Sequence, residues 1–410
     1  MEAQRAPTQS SARSPGEQGR SRRLLAVGLQ PYAIGVRQLW EELCALPHRG
    51  SATALEALAA ERLKAYLEQL RPASLVTEGR TEAEAVSSVP SQEIPGHQVE
   101  VQSFAAPRSY GPELILISLL LSLGGWLGLW WLALVGTIGF WAHFSGWWVP
   151  WRRWFDRYSS QNLLAQTGQG RKTLVLMAHY DTAKTFFLYN PRQVKFFRRN
   201  FLINAALATV LPYGALLPWV SQLLGLYFLV QAVLLTLREL RAPYVNGAND
   251  NATGVAVAVG LFEELAQDPL PDYRVILALT GSEEVGARGA EHLVRSGRIP
   301  PEALVLNIDN VGKGELFYAT GEGMLVYHAY RGALCERARA IPGARPLEYR
   351  LAFFDTRPFA ARSIPCLTLI RLENGTPPNW HWPSDRPDAV DWSAVEETLG
   401  YARTLLRQLT

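Results

Sequence analysis

Leu174-Val175-Leu176-Met177-Ala178-His179-Tyr180-Asp181 joins five apolar residues to a histidine and to an acid two positions further on. An apolar run of that length, bounded by polar residues, suits a strand buried on both faces of a sheet. A histidine at its end offers an imidazole nitrogen to a metal. Asp181 projects the same way in extended chain and can hold the other ring nitrogen. A strand-end histidine bonded to a turn carboxylate has the same pattern, so both meanings stay open for this segment alone.

Working outward, three more segments repeat the theme. Asn246-Gly247-Ala248-Asn249-Asp250-Asn251 is turn chemistry that runs into the small-residue stretch Val255 to Phe262, a closely packing helix. Asp250 there is either part of a helix N-cap or a metal-bridging carboxylate. Tyr273 to Leu279 is expected as a strand, with Glu283-Glu284 just beyond it. Two glutamates at a buried strand tip repel each other unless a cation is present. The economical arrangement makes one a metal ligand and the other a general base. A strand over Ala303 to Ile308 then ends in Asp309, and Trp380-His381-Trp382-Pro383 sets a histidine in a rigid aromatic frame.

Taken in order, these segments resemble the co-catalytic di-zinc aminopeptidase family, the aminopeptidase Y and leucyl aminopeptidase-like zinc metallopeptidases, which are related to glutamate carboxypeptidase and glutaminyl cyclase. The resemblance runs from about Val36 to the C-terminus, interrupted by two hydrophobic blocks. It takes in Pro47-His48-Arg49-Gly50-Ser51 with the helix after it, strand-like Gln98 to Phe104, and Ser160 to Ala165. It implies two zinc ions, with Asp250 bridging them. His179 and Asp309 would complete one site, and Glu284 and His381 the other. Glu283 would be the general base and Asp181 the partner of His179. Three carboxylate ligands and the base then carry four negative charges against four positive ones. Ligands without cysteine suit a catalytic zinc site with open positions. One stretch departs: Phe354 and Thr356 stand where the family has serine and histidine around Asp355. That bears on the substrate pocket and leaves the metal residues untouched.

The chain has 410 residues and is 48% hydrophobic, with mean hydropathy close to zero. Two blocks of 38 residues without a charged side chain, Leu114 to Trp151 and Asn200 to Leu237, account for much of this. A bilayer crossing needs about 20 residues, so each block is long enough for two short crossings. His179 and Asp250 must meet at one site, so the second block has to cross an even number of times or not at all. Pro212, Gly214 and Pro218 offer the turn. The first block is expected to do the same. One tilted crossing with an interfacial belt of Trp147, Trp148, Trp151 and Trp154 is the competing account. Arg152, Arg153, Arg157, Lys195, Arg198, Arg199, Arg238 and Arg241 flank the blocks. By the positive-inside bias they make this an integral protein of the cell membrane, with its peptidase domain in the cytoplasm.

A net charge of +3, with basic clusters beside the apolar blocks, points to anionic lipid headgroups and not to nucleic acid. Residues 1–22 are polar and expected to be disordered, with no cleavable secretion signal evident. Cys44, Cys335 and Cys366 are too few and too scattered for a disulfide framework. The expected fold is α/β: a mixed, mainly parallel sheet flanked by helices, with inserted transmembrane helical hairpins. Its organisation is a peptidase domain over 23–112, 152–199 and 238–410, with hairpins at 113–151 and 200–237. The expected activity is removal of N-terminal residues from a peptide substrate. A related zinc carboxypeptidase, a glutaminyl cyclase-like enzyme, and a non-catalytic membrane receptor on the same fold are the alternatives. The pattern specifies no oligomeric state.

Overall fold

The computed structural model describes residues 31–70 and 98–409. The expectations for residues 1–22 fall outside them. Nine strands form one sheet: β1 (Glu100–Ala106), β2 (Tyr158–Thr167), β3 (Lys172–His179), β4 (Tyr273–Thr280), β5 (Leu304–Asp309), β6 (Glu315–Glu322), β7 (His328–Ala329), β8 (Arg345–Tyr349) and β9 (Cys366–Leu372). Their order is β1-β2-β4-β3-β5-β9-β6-β7, with β8 beside β6. The centre, β4-β3-β5-β9, is parallel throughout. Both flanks turn antiparallel, through β2 on β4 and β6 on β9. The sheet is therefore mixed, and its parallel part is where the acid-tipped strands lie.

Eleven helices accompany it: α1 (Pro31–Cys44), α2 (Ala54–Gln69), α3 (Gly111–Trp126), α4 (Trp130–Ser145), α5 (Phe197–Val210), α6 (Pro218–Arg241), α7 (Gly254–Gln267), α8 (Arg288–Arg295), α9 (Ala333–Ala340), α10 (Arg357–Ala360) and α11 (Trp392–Arg407). The buried run of β3 and the nearly covered α7 show why these sequences read as continuous apolar stretches. A strand inside a helix-covered sheet has no wet face to alternate with. The main core joins α1, α2, α7 and α11 to the sheet. Cys44, Cys335 and Cys366 are free and buried.

The two uncharged blocks fold apart from that core, as a helical module with its own apolar cluster. The first makes α3 and α4, which turn at Gly128. The second makes α5, a short 3-10 stretch over Leu211–Leu216 and α6, so its turn falls at Pro212 and Gly214 as expected. The scattered glycines of the first block have a packing reason. A Cβ on Gly125 would lie 2.7 Å from the Ser221 carbonyl oxygen and 3.0 Å from the Gly225 Cα, so α3 and α6 cross backbone to backbone. Such small-residue crossings are characteristic of helices associating in lipid. α6 has 24 residues and is the one described helix long and apolar enough to cross a membrane. α3 and α4, at 16 residues each, extend about 24 Å, roughly one turn short of a 30 Å hydrocarbon core.

A polar clamp fastens this module to the sheet domain. Arg238 donates to the carbonyls of Lys184 and Thr185, to Ser109 Oγ and to Glu239. Lys184 pairs with Tyr244 in a β-bridge. The chain thus leaves the sheet domain after Thr185 and returns to the same place at Tyr244.

Candidate metal centre

Parallel pairing puts the ends of β3, β4 and β5 on one edge of the sheet, the position at which open α/β sheets place ligand sites. His179 ends β3 and Asp309 ends β5. After β4 the chain turns at Ser282, whose φ of 54° lies in the left-handed region. That turn aims the N–H groups of Glu283 and Glu284 back at the Asp181 carboxylate, at 2.8 and 3.2 Å. Asp250 lies in the irregular turn over residues 248–253 that precedes α7. Asp385 holds this turn by accepting from the N–H groups of Asn249 and Asp250, at 2.7 and 3.0 Å. His381, also in the left-handed region at φ 49°, is packed edge-on by Tyr189 at 4.6 Å.

All the expected residues come together. His179 Nε2 lies 3.4 Å from Asp250 Oδ1 and 3.7 Å from Asp309 Oδ1. His381 Nε2 lies 3.3 Å from Asp250 Oδ2 and 2.9 Å from Glu284 Oε2. The two oxygens of Asp250 therefore face two different imidazoles, each accompanied by a second carboxylate. Asp181 sits behind His179, its Oδ1 3.5 Å from Nδ1, and Ser51 Oγ donates to its other oxygen. Glu283 lies on the same cavity, which reaches every one of these groups except Asp181.

The donor set fits zinc. With zinc bonds of about 2.0–2.2 Å, neighbouring corners of a tetrahedron lie roughly 3.3–3.5 Å apart, close to the separations around Asp250. Asp250 Oδ2, Glu284 Oε1 and His381 Nδ1 are buried without a hydrogen-bond partner. The electrostatics agree. Burial works against a charged His179, but Asp181, Asp250 and Asp309 raise its pKa well above the usual range. Burial also disfavours the cation at His381, yet Glu284 and Asp250 lift it to about 10. Burial pushes Glu283 far up, helped by Asp355, Glu284 and Asp309, and Glu284 up to about 7. A crowd of buried carboxylates is pulling protons onto itself for want of positive charge.

Two supporting residues were not singled out from the sequence. Arg49 is fully buried and donates to the carbonyls of Tyr180, Asn246, Gly247 and Leu43. It ties the His179 loop to the Asp250 loop. Asp385 is the second. Apart from Arg49 to Leu43, their contacts span more than 100 residues, and the one signal was the Pro47 to Ser51 resemblance. The departures at 354 and 356 are absorbed by packing. Phe354 stacks on Tyr349 at 4.2 Å, and Thr356 donates to Glu322 at 2.7 Å.

The cavity, of about 500 Å³, runs from this centre into the helical module. One wall carries Arg152, Arg288 and Arg357. Asp156 lies 3.1 Å from Arg288, and Glu113 lies 3.8 Å from Arg152. The Nε atoms of all three arginines are buried and unpartnered.

Comparison with known proteins agrees with this architecture. The family model of peptidase family M28 matches residues 162–406. Glutaminyl cyclase from Porphyromonas gingivalis is similar at 13% identity and TM-score 0.54, over 92% of this chain and 98% of that one. The aminopeptidase LapA from Legionella pneumophila is similar at 12% identity and TM-score 0.51, over 100% and 80%. A zinc aminopeptidase from Bacillus subtilis aligns at 16% identity and TM-score 0.41, over 62% of this chain; the chain spans about half of that protein, 51%. No curated protein matches significantly in sequence. The expected α/β fold is found, shared with the aminopeptidase LapA and with the Porphyromonas gingivalis glutaminyl cyclase. With most of its length matched by that family model, the chain belongs to peptidase family M28.

Proposed function

We propose that this chain is a membrane-embedded exopeptidase that uses two zinc ions to remove N-terminal residues from peptides. One observation carries the reading: the two oxygens of Asp250 face two separate histidine–carboxylate pairs. His179 and Asp309 would hold one ion, Glu284 and His381 the other, and Asp250 both. Two zinc ions, when bound, supply Lewis acidity toward the scissile carbonyl and the attacking water. Glu283 takes a proton from that water and returns it to the leaving amine. Asp181 keeps His179 oriented through Nδ1, leaving Nε2 free for the metal side. Arg49 and Asp385 keep the two ligand loops in register.

The helical module supports the membrane part. Leu123, Trp126, Trp130, Ile138, Trp219 and Leu223 are all exposed apolar side chains on it, far beyond the patches a soluble surface carries. Arg152, Arg198 and Arg238 flank the module on the sheet-domain side, and the positive-inside bias favours a cytoplasmic peptidase domain.

The test is Glu283→Gln in detergent-purified protein, with metal content measured beside turnover of aminoacyl amides. Retained metal with turnover down about a hundredfold to ten-thousandfold is expected. Full metal content with near-normal turnover refutes the role. Arg152, Arg288 and Arg357, each with an Nε that has no hydrogen-bond acceptor, favour a second reading, a carboxypeptidase whose substrate carboxylate they hold. Cleavage of N-blocked peptides with free C-termini, but not of free-amine peptide amides, would select it.

A further inference from the structure

The cavity has an arm that the hydrolysis of a soluble peptide does not use. From the metal centre it passes between α5 and α6, lined by Phe201, Ile203, Tyr227, Val230 and Leu234. α5 leans on α4 and the 3-10 stretch at the tip, and stands away from α6. The main tie across that gap is Asn204, which donates to Gln231 at 2.5 Å and to the Tyr227 hydroxyl at 3.4 Å. Ile203 and Val230 line the arm and are also about half exposed on the outside of the module, at 49% and 50%. The arm therefore opens sideways, through an apolar rim. From Tyr227 to Leu235 it follows α6 for about 12 Å.

We propose that this arm holds the unbranched acyl chain of a scissile amide, so that amides of medium-chain fatty acids, entering laterally between α5 and α6, are substrates of the same centre beside peptides. The inference rests on the hydrolase reading above and adds a second substrate class to it. Polarity disfavours an extended peptide. Each residue would bring an N–H and a C=O needing partners. Here Asn204 donates to both Gln231 and Tyr227, Gln231 donates on to Ser118 Oγ, and Asn204 Oδ1 is the one buried acceptor of the three left unpartnered. A hydrocarbon chain needs none. An arm of this length takes about ten carbons, with C–C bonds of about 1.5 Å. In the reaction the acyl C–N bond breaks and a C–O bond forms with water oxygen. Glu283 carries the water proton to the leaving amine, and a fatty acid and a free amine are released.

The test uses the zinc-loaded full chain in detergent and a series of alkyl hydroxamates from acetyl to dodecanoyl, with affinity read by calorimetry. Affinity should rise about fourfold per methylene until the arm is full, near ten carbons. Ile203→Trp and Val230→Trp should move that cut-off to shorter chains. A flat series, or a cut-off unmoved by both variants, overturns the inference and leaves the metal-centre reading standing. A protein that retains no zinc defeats that underlying reading instead. Decanoate binding, weakened by Val230→Trp if the arm is an acyl site and unchanged if it is not, then still decides the matter.

Discussion

Replacing Arg49 by methionine removes a cation that has four carbonyl partners. The guanidinium donates at 2.7 Å to Tyr180, 2.8 Å to Asn246, 2.8 Å to Gly247 and 3.3 Å to Leu43. Hydrogen bonds from charged donors contribute about 1.5–3 kcal/mol each, so the three short ones amount to roughly 5–9 kcal/mol. Against this stands the desolvation of a fully buried charge, several kcal/mol. The variant recovers that desolvation but leaves carbonyls unsatisfied, at about 1–3 kcal/mol apiece. A net loss of about 3–5 kcal/mol follows, a large share of the 5–15 kcal/mol that holds a typical domain together. Because Tyr180 lies between His179 and Asp181, and Gly247 opens the Asp250 turn, zinc affinity should fall too. Denaturant unfolding in detergent with and without zinc, plus a zinc titration, measures both. Arg49→Lys keeps the charge but loses the planar fork, and should fall between. A methionine variant that loses under about 1 kcal/mol and binds zinc normally would refute the argument.

Asp250→Asn should weaken both zinc ions together, since only one of its side-chain oxygens survives; loss of one ion with the other at full affinity, by metal analysis after stepwise chelation, would make Asp250 a terminal ligand. Glu322 is fully buried, and burial raises its pKa to about 7 despite donors from Tyr330, Phe354 and Thr356. Between about pH 4.5 and 7 the unfolded chain gives up this proton first, so stability falls as pH rises, by up to roughly 3 kcal/mol. Glu322→Gln should flatten that slope in thermal unfolding; parallel slopes would count against it. For the membrane reading, single cysteines at Ser159, Gln193 and Arg241 should label only from the cytoplasm, and one at Tyr213 only from outside or not at all. Opposite-face labelling of Gln193 and Arg241 would overturn the hairpin.

The candidate metal edge was legible because His179, the Glu283-Glu284 pair and Asp309 each end or follow a buried strand, which leaves a continuous apolar run in the sequence, whereas Asp250 was marked by the turn chemistry before α7. Pro212 and Gly214 marked the α5–α6 turn. α1 carried no comparable signal; it is held by packing on α7 and by Trp40 donating to the Ala248 carbonyl. Helices of that kind owe their form to the partner and not to their own pattern. Arg49 and Asp385 were hidden for another reason. Each serves backbone groups from distant loops, and backbone groups carry no sequence signature. The sideways arm was illegible in the same way, since it exists only where α5 fails to close on α6.

Lys184 and Tyr244 meet as a β-bridge, and the excursion through α5 and α6 lies between them. His179 and Asp181 are synthesised before that excursion, and Asp250, Glu284, Asp309 and His381 after it. A chain still emerging from the ribosome therefore holds one histidine and one acid of the centre and can do no chemistry. Only a molecule whose α5 and α6 have both found their places brings the later residues back to the earlier ones. The order of the chain thus sets the order of assembly: the centre is completed by the return of the chain after α6 and not by its first half.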